Sequence, residues 1–298
     1  MNSSPRILAA HKKSRYEQLV VDRGDQRIIE LLDADHISVQ GLKKSHEAHQ
    51  RSVEELVRHL EAEGADYDLI YRGDVEDTSD YDLIVAIGGD GTVLDLSHRI
   101  GEQPILAINS VPDTSVGYFS GGTAFDFPRL LQRIIDGRIQ PVQLRRFHPR
   151  IDGEVCGPPV LNDILIAHEN PAAVSSYYLQ IGSHPAEKQK SSGVWVTTPA
   201  GSTAAVRSAG GLVLPFGSGN LQYLVREPFP PREGGYRFLK GIQPLEDPLE
   251  VISRMRRGTV FIDGPHMRCE FPIGSSLSID PGAPPLSIYG LQEERRTA

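Results

Sequence analysis

Cysteine is scarce in this sequence. The 298 residues include only two cysteines, Cys156 and Cys269, and neither belongs to a CxxC pair. Structural zinc sites and the disulfide frameworks of small secreted proteins are built from more numerous, closely spaced cysteines. The sequence therefore predicts neither kind of site, and this cysteine usage is typical of a reducing compartment.

Positive charge and long apolar runs are also limited. Lysine and arginine number 31 against 39 aspartates and glutamates, so the formal net charge is −8. This acidic balance argues against a protein that wraps nucleic acid or lies on an anionic membrane. No apolar run approaches the length that spans a bilayer, and the first ten residues lack the regions of a secretory signal. We expect a cytoplasmic protein with no nucleic-acid or membrane partner.

The first third of the chain alternates between two patterns. Four short apolar runs predict buried strands, at residues 5–10, 68–71, 82–87 and 104–109. Apolar residues at helical spacing over 45–63 predict a helix. Apolar strands separated by helical stretches are typical of a parallel sheet covered on both faces. We predict an α/β domain with a Rossmann-like sheet at residues 1–120.

After about residue 141 the chain consists of short β-rich runs broken by Asp-Gly and proline. Asp152-Gly153 and Asp263-Gly264 are predicted hairpin turns, because both central positions can take positive φ there. Many short strands with regular punctuation are typical of an antiparallel sandwich. The fold class is therefore α/β plus all-β, with a β-sandwich-like second domain at residues 121–290.

Three segments are predicted to be irregular. Residues 184–192 and 226–235 are polar or rich in proline and glycine, which indicates loops. The polar residues 291–298 are predicted to form a frayed C-terminus. Two arginines of the second loop, Arg226 and Arg232, are candidates for contact with an anionic ligand.

The sharpest local signal is GGDGT at residues 88–92, directly after one predicted strand and before a predicted helix. Glycine lets the backbone bring its N–H groups close to a phosphate, and a helix N-terminus favours an anion. A carboxylate in such a turn is repelled by phosphate unless it holds Mg²⁺ or takes a proton from an attacking hydroxyl. Asp90 is therefore the candidate catalytic residue. The alternative, a helix cap at Asp90, does not explain the flanking glycines.

Two weaker signals lie in the second domain. Asn162 and Asp163 interrupt an apolar run, where a ligand's hydroxyl or amide groups would satisfy a buried polar side chain. The alternative is a turn before a strand that starts at Ile164. Small hydroxyl residues and glycines over 197–205 offer close backbone approach and donors to phosphate or sugar oxygens. An ordinary turn that caps a helix is the alternative there.

A basic cluster follows the first predicted strand and contains Lys12, Lys13 and Arg15. Ligands of α/β sheets bind beyond the carboxyl ends of the strands, which is also where Asp90 lies. The cluster is therefore a candidate site for a phosphate chain. The alternative is a solvated helix face.

Taken together and in this order, these segments resemble the NAD kinases. That family carries a GGDGT loop, an Asn-Glu or Asn-Asp pair and a TPTGSTAY-like segment that leads to Ser-Ala-Gly-Gly. The matching segments lie at 88–92, 162–163, 198–205 and 208–211. Lipid kinases and phosphofructokinases share only the first. Further segments are similar to the mitochondrial-type branch of animals and its bacterial relatives, at 13–17, 109–117, 188–193 and 226–229.

The resemblance implies an NAD kinase that transfers the γ-phosphoryl group of ATP to the adenosine 2′-hydroxyl of NAD(H), giving NADP(H). Asp90 would activate that hydroxyl. Mg²⁺ or another divalent cation would be carried by the donor phosphates rather than by a protein metal site. Lys12, Lys13 and Arg15 would assist at those phosphates. The other binding positions implied are Gly91, Thr92, Tyr118, Asn162, Asp163, Lys190, Thr203, Ala204, Ser208 and Asp263.

Three positions depart from the family pattern. Ala205 and Pro265 stand where many members have tyrosine and glutamine, and Ser192 replaces a frequent aspartate. These departures concern the contacts to the nucleotide bases, so the choice between NAD and NADH stays open, as does the choice among ATP, another triphosphate and polyphosphate. A homodimer is expected from the resemblance alone.

Two other functions are compatible with parts of this pattern. A lipid kinase of the diacylglycerol or sphingosine type would share the GGDGT segment at 88–92. A non-catalytic dinucleotide sensor would keep the binding segments without turnover, which the departures at Ala205 and Ser192 would fit. The presence of Asp90 favours the enzyme.

Overall fold

The chain forms two compact units in a computed structural model that describes residues 5–231 and 233–297. Arg232 lies outside the described residues. The units are Met1–Val142 with Ser287–Gln292, and Gln143–Leu286 with Glu293–Ala298. The boundary therefore follows Val142 rather than residue 120, because the helix Phe127–Ile135 packs its apolar side chains into the core of the first unit.

The strands and helices of the described residues are numbered in chain order. The strands are β1 Ile7–His11, β2 Tyr67–Tyr71, β3 Leu83–Gly88, β4 Ile105–Asn109, β5 Val142–Leu144, β6 His148–Ile151, β7 Glu154–Val155, β8 Asp163–His168, β9 Ser175–Ile181, β10 Glu187–Ser191, β11 Gly193–Thr197, β12 Asn220–Arg226, β13 Lys240–Pro244, β14 Leu249–Ser253, β15 Gly258–Ile262, β16 Met267–Glu270, β17 Ser276–Asp280 and β18 Leu286–Tyr289. The helices are α1 Gln26–Asp33, α2 Leu42–Ala62, α3 Asp90–Ser97, α4 Phe127–Ile135, α5 Ala205–Ser208 and α6 Glu294–Thr297. Shorter helical turns are the π-helix Glu17–Asp22 and the 3₁₀ turns Ile37–Val39, Arg72–Asp74 and Ala200–Thr203.

The first unit is built on a sheet with the strand order β2-β1-β3-β4-β18-β5. The pairs from β2 to β18 are parallel, and β3 and β4 are buried along their whole length, as their continuous apolar sequences predict. Helix α2 covers the sheet with a buried stripe at helical spacing, formed by His49, Val53, Leu56 and Leu60. The predicted α/β class with a parallel sheet is confirmed.

The second unit contains two six-stranded antiparallel sheets. Their orders are β10-β9-β14-β17-β6-β7 and β13-β12-β11-β8-β15-β16. Alternate residues of the strands are buried in one core, such as Ile164 and Ile166 of β8 and Tyr177 and Leu179 of β9. This period of two is typical of strands with one face toward the core, and the β-rich second domain is confirmed.

Both predicted Asp-Gly turns have the expected backbone. Asp152 and Gly153 have φ of 52° and 87°, and Asp263 and Gly264 have φ of 48° and 117°. The first joins β6 to β7 through two residues, whereas the second begins a four-residue turn between β15 and β16.

Two segments predicted to be irregular are regular. Residues 187–191 form the edge strand β10, in which buried Gln189 donates to the carbonyl of Phe238 at 2.8 Å, while the neighbouring lysines point outward. Lysine is common on edge strands, because its charge discourages pairing with other chains. The same lysines made the segment polar, which is why the sequence predicted a loop here. Residues 294–297 form α6 instead of a frayed end, since Arg296 is buried at 1% exposure.

The two cysteines form a disulfide, contrary to the prediction from their number and spacing. Cys156 follows β7 and Cys269 lies on β16, with their Cα atoms 6.4 Å apart. They are 113 residues apart in sequence. Strand β7 lies at the edge of one sheet and β16 at the edge of the other, so the cysteines meet only when the two sheets pack together. Of the helices in the described residues, none combines the length and apolar character needed to cross a membrane.

Candidate active site

In the first unit, the GGDGT segment lies where the strand order changes direction. Strand β1 pairs with β2 on one side and with β3 on the other, and β3 then pairs with β4. The connection after β1 therefore leads to one side, toward β2, and the connection after β3 leads to the other side, toward β4. Such a change of direction leaves a crevice at the carboxyl ends of the strands. The end of β1 and the GGDGT segment after β3 both face this crevice.

Asp90 stands in the first turn of α3, and its carboxylate is half-buried. It does not cap its own helix. Its Oδ1 instead accepts from the backbone N–H of Phe119 at 2.9 Å, and its Oδ2 accepts from that of Tyr118 at 3.0 Å. Burial raises the pKa of Asp90, and these two hydrogen bonds oppose that shift without cancelling it. Each oxygen keeps a free lone pair, so the group can still take a proton.

Two glycines of the GGDGT segment, Gly88 and Gly91, have different surroundings. A Cβ on Gly88 would lie 2.1 Å from the Thr92 hydroxyl, so tight packing requires glycine there. Thr92 itself is buried at 1% exposure, which makes it a packing residue as well as a predicted binding residue. A Cβ on Gly91 would meet nothing within 4 Å. Protein packing therefore does not demand glycine at position 91, and the open space fits close approach of a ligand.

The predicted basic residues come together around a cavity of about 300 Å³. Lys12, Lys13 and Arg15 line it, and Arg72 joins them from the end of β2. Burial lowers the pKa of Lys12, and the positive charge of Arg72 lowers it further. Lys13 is paired with Asp22 at 2.9 Å, which raises its pKa. Lys13 and Arg72 each lie near a carboxylate, whereas Lys12 and Arg15 form no ion pair with another described residue.

Arg72 is a site residue that the sequence analysis missed. Its Nη1 donates to the carbonyl of Gly91 at 2.8 Å and to the Thr92 hydroxyl at 3.3 Å, and its Nε lies 3.5 Å from Asp95. It therefore connects the basic cavity to the GGDGT segment. The signal was its position directly after a predicted strand, the same rule that selected Lys12.

His49 holds the ends of two strands in place. Its ring is fully buried, with Nε2 2.7 Å from the carbonyl of Lys12 and Nδ1 2.9 Å from the Ser110 hydroxyl. Because a carbonyl only accepts, Nε2 carries the proton and Nδ1 accepts from Ser110. Burial lowers the pKa of His49 to about 4, so the ring is neutral near pH 7.

In the second unit, Asp263 organises the segment that contains Asn162 and Asp163. Its Oδ1 accepts from the backbone N–H groups of Asn162 at 2.7 Å and Asp163 at 3.0 Å, and its Oδ2 accepts from that of Leu161 at 2.9 Å. The structure thus gives Asp263 a positioning role. The family resemblance implied a binding role for this residue.

Asn162 and Asp163 bring polar atoms to a largely buried place. Among the described residues, the buried Oδ1 of Asn162 has no hydrogen-bond partner. Asp163 is 6% exposed, and burial followed by the charge of Asp263 raises its pKa to about 7. The buried Arg146, also close to Asp263, has its pKa lowered to about 10 by burial. An unsatisfied acceptor of this kind fits a ligand that donates a hydrogen bond.

The turn Ala200–Thr203 is packed directly against Asn162. Thr197 donates its hydroxyl to the carbonyl of Asn162 at 3.0 Å, and Thr198 donates to the carbonyl of Leu161. A Cβ on Gly201 would lie 2.2 Å from the carbonyl oxygen of Asn162. The predicted segments at 162–163 and 198–205 are therefore neighbours in space. Close backbone approach explains the glycine.

The remaining predicted residues are more scattered. Thr203 and Ala204 are half-buried at the end of the same turn, and Ser208 is exposed on α5. Lys190 is exposed on the edge strand β10 of the other sheet. Tyr118 is half-buried in the first unit, where its backbone N–H binds Asp90. Within residues 5–231 and 233–297, no three His, Cys, Asp or Glu side chains are grouped to hold a metal ion.

Family models match both parts of the chain. The model of the ATP-NAD kinase N-terminal domain matches residues 11–139, and that of the ATP-NAD kinase C-terminal domain matches residues 161–217. The first range includes the GGDGT segment, and the second includes Asn162, Asp163 and the turn Ala200–Thr203. These matches favour the NAD kinases over the lipid kinases.

Individual proteins agree with the family models. The chain is 33% identical over 262 residues to a probable NADH kinase of Oryza sativa subsp. japonica, covering 80% of this chain and 81% of that protein. It is 26% identical over 249 residues to mitochondrial NAD kinase 2 of Rattus norvegicus, covering 67% and 59%. The crystal structure of an NAD kinase from Archaeoglobus fulgidus in complex with ATP has the same fold, with a TM-score of 0.66, 20% identity and coverage of 97% and 95%. The chain belongs to the NAD kinase family.

Proposed function

We propose that the protein transfers the γ-phosphoryl group of ATP to the adenosine 2′-hydroxyl of NAD(H), giving NADP(H), and that Asp90 is the general base. The observation that carries this proposal is the state of the Asp90 carboxylate. It is half-buried at the carboxyl ends of the parallel strands, it has a raised pKa, and two backbone N–H groups fix its orientation. A carboxylate so held is a stronger base than an exposed one.

In the proposed reaction, the 2′-hydroxyl oxygen attacks the γ-phosphorus while its proton passes to Asp90. The new O–P bond forms as the bond to the β,γ-bridging oxygen breaks, which leaves ADP. Phosphoryl transfer of this type depends on positioning and on neutralising charge more than on covalent help from the protein. The open space beside Gly91 suits the approach of the reacting groups to Asp90.

The donor's phosphate chain is proposed to lie in the basic cavity. Lys12, Lys13, Arg15 and Arg72 line it, and Arg72 also reaches the GGDGT segment. Their charge compensates for the overall acidity of the chain. Cations and polar side chains form most of the lining, which suits phosphates.

Mg²⁺ is proposed to arrive on the donor's phosphates. Mg²⁺ commonly binds through one or two carboxylates together with substrate phosphates and waters. The residues fit this arrangement, because the cations of the basic cavity would hold the phosphates, whose oxygens are ligands that Mg²⁺ prefers, and Asp90 is left free to act as the base. When bound, the ion would neutralise developing charge on the transferred group.

The dinucleotide is proposed to bind the second unit through Asn162, Asp163, Thr203 and Ala204. The unpartnered Oδ1 of Asn162 would accept a hydrogen bond from the ligand. Asp163, with a pKa of about 7, can donate as an acid or accept as a carboxylate near neutral pH. Lys190, Tyr118 and Ser208 are further proposed contacts.

The test is NADP formation from NAD with Mg²⁺-ATP, with wild type beside Asp90→Asn. We expect kcat to fall by roughly a hundredfold or more in the variant, because proton transfer is lost. Asparagine keeps the shape of the side chain but can accept from only one of the two backbone N–H groups, so the dissociation constant for NAD is measured as well, and the fall in kcat should exceed any change in that constant. Full turnover in Asp90→Asn would refute the assignment of the base. NAD binding without NADP formation in wild type, with NADH and polyphosphate also tried, would point to a sensor.

NADH is a second candidate acceptor. The rice relative that is 33% identical to this chain is named a probable NADH kinase. We therefore propose that NADH is used at least as well as NAD, and the ratio of the two kcat/KM values measures this. A ratio strongly in favour of NAD would contradict it.

A homodimer and a cytoplasmic location are also proposed, the first from the family resemblance and the second from the sequence. Light scattering of the purified protein tests the oligomeric state. Cell fractionation tests the location. The result also bears on the disulfide Cys156–Cys269, because disulfides persist in oxidising compartments and are rare in the reducing cytosol.

A further inference from the structure

The segment Glu293–Arg296 packs against the turn Ala200–Thr203, which precedes α5. Arg296 is 1% exposed, and its Nη2 donates to the carbonyl of Pro199 and, at 2.7 Å, to the hydroxyl of Ser202. The Ser202 hydroxyl in turn donates to the carbonyl of Pro199 and accepts from the backbone N–H of Leu214. Arg296 thus completes a set of hydrogen bonds around the turn Ala200–Thr203.

Further contacts hold this segment in place. The guanidinium of Arg296 lies 3.8 Å from the centre of the Phe216 ring. The carboxylate of Glu293 accepts from the backbone N–H of Phe216 at 2.7 Å, and Arg207 donates to the carbonyl of Arg296 at 3.4 Å. The planar cation is therefore stacked on one side and hydrogen-bonded at its end, which lysine cannot reproduce.

Burying this cation has a cost that nothing close by fully offsets. Its nearest carboxylate, Glu293, is 4.0 Å away and half-exposed. Burial lowers the pKa of Arg296, with Glu293 opposing the shift. A buried guanidinium without a close carboxylate is a poor way to gain stability. Its contacts instead converge on one short turn.

We propose that Arg296 is a positioning residue for dinucleotide binding, because it fixes the turn Ala200–Thr203 against Asn162. The inference rests on the proposed function. The turn carries Thr203, and Gly201 touches the backbone of Asn162, so a displaced turn would move two proposed dinucleotide contacts. The basic cavity proposed for the donor is lined by residues of the first unit, whereas Arg296 and this turn belong to the second.

The experiment compares Arg296→Ala with wild type in steady-state assays that vary dinucleotide and ATP separately. We expect the KM for the dinucleotide to rise roughly tenfold, as lost hydrogen bonds to a charged group imply. The KM for ATP should stay within about twofold of wild type. Guanidinium ion at millimolar concentration should restore part of the dinucleotide KM by refilling the cavity. The control is Arg268→Ala, an exposed arginine of β16 in the same unit, for which no change is expected.

Unchanged KM values in folded Arg296→Ala would overturn the proposal, as would equal changes in both KM values. If Arg296→Ala does not fold, Arg296→Lys keeps the positive charge and most of the side chain's length but not the planar guanidinium, and the same split between the two KM values is expected. If wild type forms no NADP(H), the proposed function fails. Dinucleotide dissociation constants for wild type and variant then decide the inference separately, and equal constants would refute it.

Discussion

At the level of single residues, three aspartates of this protein stand in three different surroundings. Asp90 is oriented by two backbone N–H groups and keeps lone pairs free, which suits a base. Asp263 uses both oxygens on three successive backbone N–H groups and so acts as a structural clamp. Asp163 is buried beside that clamp and has a raised pKa. The surroundings, rather than the residue type, assign the role.

The raised pKa of Asp163 predicts a pH-dependent stability. The folded protein keeps this proton up to about pH 7, whereas the unfolded chain releases it near the ordinary value of 3.8. The stability from this group is therefore complete below about pH 4 and is lost as the pH rises to about 7. We expect Asp163→Asn, which cannot ionise, to gain in Tm relative to wild type between pH 4 and 8.

Thermal unfolding across that pH range measures the difference. The exposed Asp247 supplies the control variant Asp247→Asn, whose Tm should follow that of wild type at every pH. A difference between Asp163→Asn and wild type that stays constant with pH would contradict the prediction.

At the scale of elements, the turn from β3 into α3 contains one glycine that packing requires and another that faces open space. Gly88 is enclosed, since its Cβ would clash with Thr92, whereas Gly91 faces open space. We expect Gly88→Ala to destabilise the protein by about 1–3 kcal/mol through overpacking. Gly91→Ala should keep or raise the wild-type Tm, because alanine is the better helix former and its methyl group meets nothing, but it should lose most of the turnover.

Calorimetry and kinetic assays on the two variants test this pair. Full activity in Gly91→Ala would show that no ligand approaches this position. An unchanged Tm in Gly88→Ala would show that the turn can relax around an extra methyl group.

The elements also show how far sequence reasoning reaches. The parallel strands and the GGDGT segment could be predicted because continuous apolar runs and glycines are local signals. The clamp formed by Asp263 and the disulfide could not, because each depends on residues that only the folded chain brings together. Arg72 had a signal in its place after a predicted strand, but its contact with Gly91 had none. Strand β10 was missed because its lysines mask the alternation that buries Gln189. Helix α6 was missed because a buried arginine looks like a surface residue in sequence.

At the scale of the whole molecule, the disulfide cross-links the two sheets of the second unit. It closes a span of 113 residues, and by chain entropy this corresponds to roughly 4–5 kcal/mol. We expect reduction, or the double variant Cys156→Ser with Cys269→Ser, to lower the unfolding temperature of the second unit. Because the first unit has its own core, its transition should stay in place.

Differential scanning calorimetry with and without reductant tests this, and thiol titration of the unfolded, unreduced protein should find no free cysteine. The double variant should be insensitive to reductant, which makes it the control. Two free thiols in the protein as isolated would contradict the prediction.

The place of β18 in the chain has a consequence for biosynthesis. This strand lies between β4 and β5 in the first sheet, yet residues 145–285 are synthesised between β5 and β18. While that stretch is being translated, the edge of β4 that later pairs with β18 has no partner strand. An unpaired apolar edge invites association with other nascent chains. Chaperones that shield exposed strands should therefore matter most during translation of this middle stretch, and least after β18 has emerged.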